Sequence, residues 1–405
     1  MTLWPSTPPG VSLAELDDKC TAACRAIAGR GVIIDRPALK QLVSKENRRR
    51  PQRLHRFQSA CRRAGINQNI DPWSDVQCRC VFSDLGINIP NLKNSTLAET
   101  GHPVALELAA FRREDRVLRE AQSILRAMRG STLYGHVDPC GTETGRINIT
   151  LYALSNISRD MRPFIIPLPG YILLSFDFRT MEFVVLGDLS GDRKLREILA
   201  SGQDLYVWIK EQLLDDEATT VVTARKMAKV LALSITYGRS PWSIAQELDL
   251  DFMDASDLVA ALQILFPEAE AFLARVAEQA VIDGAVRSLL GRTRHREPGC
   301  RKDRWRRKAR NHIIQGTAAE VFRERLVALE NHLSTTGDGQ VLVPMHDGAL
   351  VQVREDQLEQ VLKDVPAILS ASPLLSIPLD LKVGYSRTWA EAERTAKIVT
   401  RKMEV

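Results

Sequence analysis

The sequence predicts an α+β fold, and three observations predict it. Apolar residues recur three and four apart over residues 13 to about 129, 203 to about 290 and 304 to 326, which is the spacing of buried helix faces. A short apolar run at 172–174 after a Pro-Gly break, a stretch at 341–353 with apolar alternation on either side of its middle, and a stretch at 379–389 have the pattern of strands. The second of these runs turns on Asp347-Gly348, the dipeptide most suited to a hairpin, so its strands are expected to pair antiparallel.

With 405 residues the chain is long enough for a sizeable core and for two or three domains or subdomains. No stretch approaches 18 uncharged apolar residues, and the start, MTLWPSTPPG, lacks the basic head and apolar core of a signal peptide. A cytoplasmic protein without a membrane partner is expected. Seven cysteines, an odd number without a secretory signal, argue for reduced thiols. Neither close pair, Cys20/Cys24 or Cys78/Cys80, has the spacing of a structural zinc site. The net charge of +5 is small, but the cations are bunched. Lys45, Arg48, Arg49, Arg50, Arg53, Arg56, Arg62 and Arg63 stand against the single acid Glu46, and a second block runs over residues 287–310. Such blocks are either solvated faces or seats for a phosphate backbone.

In chain order, residues 1–10 are Pro-rich and expected to be disordered. Residues 11–130 read as a helical arm carrying the first basic block. Residues 131–202 open with short strands and turns, then reach a strand at 172–174 with Asp177 at its end. From Met181 the apolar positions 181, 184, 185 and 189 give a helix that Ser190-Gly191 stops. Asp177 therefore lies at a strand-to-helix corner and Glu182 in the first helical turn. A capping role would suffice for a lone Asp there.

Residues 203 to about 290 are again helical. Within them Arg225, Lys229, Leu233 and Tyr237 follow at four-residue steps and line one helix face, with Gly238 and Pro241 marking its end. Two cations, an apolar residue and a Tyr on one face suit a nucleoside triphosphate, although a basic amphipathic surface helix has the same pattern. Residues 303–405 begin with a helix over 304–326, broken at Gly316, on which Asn311 and Gln315 form an i, i+4 amide pair able to bond base edges or sugars. The hairpin with Asp347-Gly348 at its tip follows, then a helix over 355–370 and a strand around Leu381 and Val383. Two acids at β-structure tips, far apart in the chain, are what two-metal phosphoryl transfer requires: carboxylates that hold Mg²⁺ ions roughly 4 Å apart.

These segments, in this order and spacing, resemble the family A DNA polymerases, the group of bacterial DNA polymerase I. Asp177-Phe-Arg-Thr-Met-Glu182, with LSGD after it, resembles motif A (DYSQIEL…LSGD). Arg225-x3-Lys229-x7-Tyr237-Gly238 resembles motif B, and Met345-His-Asp347 resembles motif C (VHD). Thr142 to Arg146 is similar to the family's TxTGR, Asn156-Ile157 to the tail of NLQNI, and Asn311-x3-Gln315-Gly-Thr-Ala-Ala to NxxxQGTAAD. The likeness covers roughly residues 130–390.

The resemblance implies a right-hand polymerase fold with an antiparallel β palm, helical fingers and a helical thumb. The thumb and N-terminal helical region would be 11–130, the palm 131–202 and 303–405, and the fingers 203–302. It implies two Mg²⁺ ions, with Mn²⁺ as a substitute, held by Asp177, Asp347 and the Phe178 carbonyl. Arg225 and Lys229 would grip the triphosphate, and Lys229 would also protonate departing pyrophosphate. Glu182, held by Tyr237, would be the steric gate at the sugar 2′ position, with Leu233 and Tyr206 beside the nucleotide. Arg146, Arg307, Asn311 and Gln315 would track the primer-template minor groove and His346 the primer terminus. The implied partners are primer-template DNA and deoxynucleoside triphosphates, engaged by a monomer acting in DNA replication or repair.

The sequence also departs from the family. Motif C normally ends in Glu where this chain has Gly348, Leu233 stands where the motif B helix has Phe or Tyr, Arg179 and Thr180 replace Ser and Gln, and Tyr206 stands where a His is common. Leu233 predicts altered discrimination at the sugar 3′ position. Only about 140 residues precede the TxTGR string, which predicts a polymerase without 3′-5′ proofreading. Two rivals remain: a single-subunit RNA polymerase-like enzyme, against which Glu182 speaks, and a catalytically inactive DNA-binding replication scaffold, for which Gly348 speaks.

Overall fold

The structure, a computed structural model, describes residues 10–150, 157–214 and 221–399. The expected disorder of residues 1–10 falls, but for Gly10, outside the described residues, as does Asn156 of the NLQNI-like tail. The chain divides into two compact units: one takes the described residues of 1–31, 135–155 and 167–405, the other those of 32–134 and 156–166.

The smaller unit is built on helices Arg36–Arg63, Asp75–Asp84, Asn94–Glu99 and Pro103–Ala127, with a three-stranded sheet of order Thr132–Leu133, Val32–Ile34, Ile165–Ile166. Phe57, Phe82, Leu97 and Leu108 are among the buried residues of its core. The basic block has a use here that sequence reading missed. Arg53, 4% exposed, lies between Glu46 (2.8 Å) and Glu114 (2.9 Å). Arg50 Nε meets Asp115 at 2.7 Å, and Arg56 faces Glu107 at 3.6 Å. Three of the eight cations of the apparent phosphate seat thus join the Arg36–Arg63 helix to the Pro103–Ala127 helix.

In the larger unit an antiparallel five-stranded sheet has the order Lys397–Val399, Leu381–Ser386, Tyr171–Phe178, Gly348–Arg354, Gly339–Pro344. Leu173, Leu174, Phe176, Val351 and Val353 are buried in it, so the alternation read from the sequence is a two-sided burial at the sheet centre. The turn of the hairpin is Met345-His346-Asp347, and Gly348 is the first residue of the returning strand rather than part of the tip.

The helix expected over 304–326 runs unbroken from Lys302 to Thr336. Gly316 does not interrupt it. A Cβ there would lie 3.1 Å from that of Ser288, so this glycine admits the neighbouring chain. That neighbour belongs to a hairpin, Ala285–Arg287 with Thr293–His295, whose first strand lies inside a region read as helical. The first helix, Leu13–Arg30, also belongs to this unit, where Asp17 accepts from Arg323 at 2.6 Å and Glu330 from Arg30 at 2.9 Å. The compact units therefore divide elsewhere than at the expected thumb boundary: periodicity locates a helix but not what it packs on. Helices Met181–Ser190, Arg193–Ala200, Leu205–Leu213, Val221–Tyr237, Pro241–Leu248, Phe252–Leu265, Pro267–Asp283, Leu358–Ser370 and Trp389–Arg394 also belong to the unit. Among the described residues, no helix is long and apolar enough to cross a membrane.

Candidate active site

Strand register brings the two acids together. Asp177 pairs with Gly348 across the antiparallel ladder, and the Phe178 N–H donates to the Asp347 carbonyl at 2.6 Å. Asp177, Phe178 and Asp347 line one cavity of about 420 Å³. Burial first, then the neighbouring Asp347 charge, pushes the Asp177 carboxyl up to about 6 against the pull of Lys382, although its tip reaches solvent. The chain leaves this strand through Thr180, a non-glycine residue at φ 48°, and enters the Met181–Ser190 helix at once. That tight left-handed corner sets Glu182 in the same cavity as the acids.

Glu182 is the polar hub of the site. Its Oε1 accepts from Arg146 Nη2 (2.9 Å), Tyr237 Oη (3.3 Å) and Gln315 Nε2 (3.3 Å), and Gln315 also donates to Tyr237 Oη at 2.6 Å. Its Oε2 is buried with no hydrogen-bond partner among the described residues. Burial raises the carboxyl above the ordinary range, with Arg146 opposing and the Asp347 charge adding to the rise.

The Val221–Tyr237 helix gives the opposite wall, and Arg225, Lys229, Leu233 and Tyr237 all face the cavity from it. Gly238, at φ 57°, ends the helix where the sequence placed the break. Arg225 Nη2 bonds Asp204 Oδ2 at 2.8 Å, and its guanidinium lies 5.4 Å from the Tyr206 ring centroid. Arg179 donates to the same Asp204 oxygen at 3.1 Å. The Tyr206 hydroxyl is pushed up to about 12 by burial and by the Glu182 charge. His346 lines the cavity from the hairpin turn.

Arg307, Asn311 and Gln315 line a second, larger cavity of about 840 Å³, to which Tyr237 is common. Arg239, Arg294, Arg304 and Lys308 add positive charge around it. The sequence therefore named two neighbouring groups of residues, one around the acids and one along the basic helix. It missed Asp204, which caps the Leu205–Leu213 helix while bonding Arg179 and Arg225. Lys382 was missed too. Its signal was present: Leu381 and Val383 are buried, so the residue between them faces the other way.

The donor set suits hard divalent cations, since Asp177 offers carboxylate oxygens from the end of its strand and Asp347 from the hairpin turn beside it. Among the described residues no group of three His, Cys, Asp or Glu side chains is placed to hold an ion. Such a pair fits an ion that also takes oxygens from substrate and water. At position 348 no further acid fits, because a Cβ there would lie 2.1 Å from the Phe176 carbonyl oxygen and 2.9 Å from the Asp177 Cα.

The sequence profile of DNA polymerase family A matches residues 84–391. Thermostable DNA polymerase I of Thermus filiformis is 26% identical over 391 residues, covering 90% of this chain and 46% of the relative. DNA polymerase I of Pseudomonas aeruginosa is 27% identical over 262 residues, covering 62% of this chain and 29% of the relative. The chain thus spans less than half the length of these curated relatives. Among solved structures, the POL domain of Pol1 from M. smegmatis, in complex with DNA primer-template and dNTP, superposes with a TM-score of 0.82 at 23% identity, covering 94% of this chain and 73% of that one. The likeness bears out the right-hand polymerase fold with its antiparallel β palm.

Proposed function

Because this chain belongs to DNA polymerase family A, we propose that it extends a primer along a DNA template by adding deoxynucleotides to the 3′ end, without removing mismatched ends. The observation that carries the proposal is the convergence of Asp177 and Asp347, 170 positions apart in the chain, on one cavity walled by Arg225 and Lys229. The primer-template and dNTP bound by the Pol1 neighbour support the same partners here.

Each side chain then has a task. Asp177 and Asp347, with the Phe178 carbonyl, hold the divalent cations, Mg²⁺ or Mn²⁺. When bound, those ions activate the primer hydroxyl and stabilise the leaving oxygen. Arg225 and Lys229 bind the triphosphate, and Lys229 supplies a proton to departing pyrophosphate. Glu182, fixed by Arg146, Tyr237 and Gln315, closes the space that a ribose 2′-hydroxyl needs. Leu233 and Tyr206 flank the nucleotide. Arg307, Asn311 and Gln315 follow the primer-template duplex along the larger cavity, and His346 meets the primer terminus. Residues 131–202 and 303–405 serve as palm, 203–302 as fingers and 11–130 as thumb and N-terminal region, in a monomer working in the cytoplasm.

Primer extension with Mg²⁺ on a defined template tests this, with deoxy- and ribonucleotides offered in parallel. Extension is expected with deoxynucleotides alone, and Asp347→Asn is expected to lose on the order of a thousandfold or more in rate. A second reading, an inactive DNA-binding scaffold, rests on Gly348; wild-type protein that binds primer-template but fails to extend it under these conditions would establish it.

A further inference from the structure

The row of residues crossing the sheet at Asp177 has an unusual charge arrangement. Lys382 pairs with Asp177 on one side and Gly348 pairs with it on the other, so the three positions stand in line across adjacent antiparallel strands. Directly opposed residues project from the same face with Cβ atoms about 5 Å apart. Gly348 has no side chain, and the strands approach too closely there to admit one. The lateral neighbour of Asp177 in this row is therefore a cation.

Lys382 is exposed, flanked by the buried Leu381 and Val383, and lines the cavity that holds Asp177, Asp347 and Lys229. Its charge favours the ionised form of Asp177.

We propose that Lys382 is a fixed counter-ion of Asp177, competing with the divalent cation for that carboxylate and so weakening metal loading of the free protein. The inference rests on the metal-binding role proposed above for Asp177. The physics is ordinary Coulomb competition: a unit charge held beside a carboxylate lowers the potential that draws a divalent ion to it, and the effect fades with added salt. Lys382 acts through Asp177, which makes it a positioning residue for the centre.

The test is Mn²⁺ binding to the full chain without DNA or nucleotide, followed by the electron paramagnetic resonance signal of the free ion at low ionic strength. Lys382→Gln is expected to bind Mn²⁺ about threefold to tenfold more tightly than wild type, with the gap narrowing as salt rises. Lys382→Arg, which keeps the charge, is expected to behave as wild type. Unchanged or weaker binding in Lys382→Gln, with wild-type circular dichroism and thermal unfolding, overturns the proposal, and so does an Arg variant that behaves like the Gln variant. Asp177→Asn separates the two layers. If it abolishes Mn²⁺ binding, the underlying reading stands whatever Lys382 does; if it leaves binding intact, both fall.

Discussion

Gly348 is legible in the sequence only as a missing carboxylate. What the residues do not display is the reason no side chain stands there: the Phe176 carbonyl and the Asp177 Cα occupy the space. Gly348→Ala is therefore expected to destabilise the larger unit by about 3 kcal/mol, read as a shift in the denaturant midpoint, since the clash is with backbone and not with a flexible side-chain end. Glu182 is the contrary case, its place in the first helical turn being readable from spacing. Of its three donors the family resemblance gives Tyr237, whereas the contacts of Arg146 and Gln315 with Glu182 are not readable, because they come from two further separate segments. Glu182→Ala opens the space beside the nucleotide, and ribonucleotide incorporation relative to deoxynucleotide is expected to rise about tenfold or more in single-nucleotide extension assays.

Helices and strands differ in how far local pattern reveals them. The Val221–Tyr237 and Met181–Ser190 helices were readable because apolar spacing and a following glycine both mark them. The Ala285–Arg287 and Thr293–His295 strands were not, since three-residue strands carry too little alternation to be distinguished from a helix end. The Arg36–Arg63 helix was found, but its arginines were read as free. Beside Glu46 on the same helix, the acids that engage Arg50, Arg53 and Arg56 lie on the Pro103–Ala127 helix, a pairing that no local window contains. Asp115 on that helix is 1% exposed and accepts from Arg50 (2.7 Å), Trp73 Nε1 (2.7 Å) and Arg119 (2.9 Å). Burial alone would raise its carboxyl, but these donors outweigh it and hold the group below its ordinary value. A depressed folded-state pKa means that its stabilisation is present above the usual carboxylate range and is lost as pH falls through the folded value. Asp115→Asn is expected to cost about 3 kcal/mol at neutral pH. In acid the variant should lose less further stability than wild type, as urea titrations at a series of pH values would show.

On the scale of the molecule, the order of motifs was the legible part, because each binds the same chemistry whatever lies between. The division into units was not, for it depends on which helices share a core; Leu13–Arg30 joins the larger unit through Arg30–Glu330 and Asp17–Arg323. A net charge of +5 hides a cavity with Arg304, Arg307 and Lys308 on its wall. DNA affinity is accordingly expected to fall steeply with salt, and the double change Arg304→Ala and Arg307→Ala to reduce the slope of log affinity against log salt by about 2, measured by fluorescence anisotropy.

The 35-residue helix from Lys302 to Thr336 has a consequence at this scale as well. Its outer end is wet, carrying Arg304 and Arg307, while from Gly316 to Phe322 each successive residue is buried. Amide protons in that interior stretch have no route to bulk water short of dismantling the surrounding core, whereas those near Lys302 exchange by local fraying. In deuterium-uptake mass spectrometry, peptides from residues 316–330 should be the last of the larger unit to gain mass, which turns one helix into a timer for its global opening.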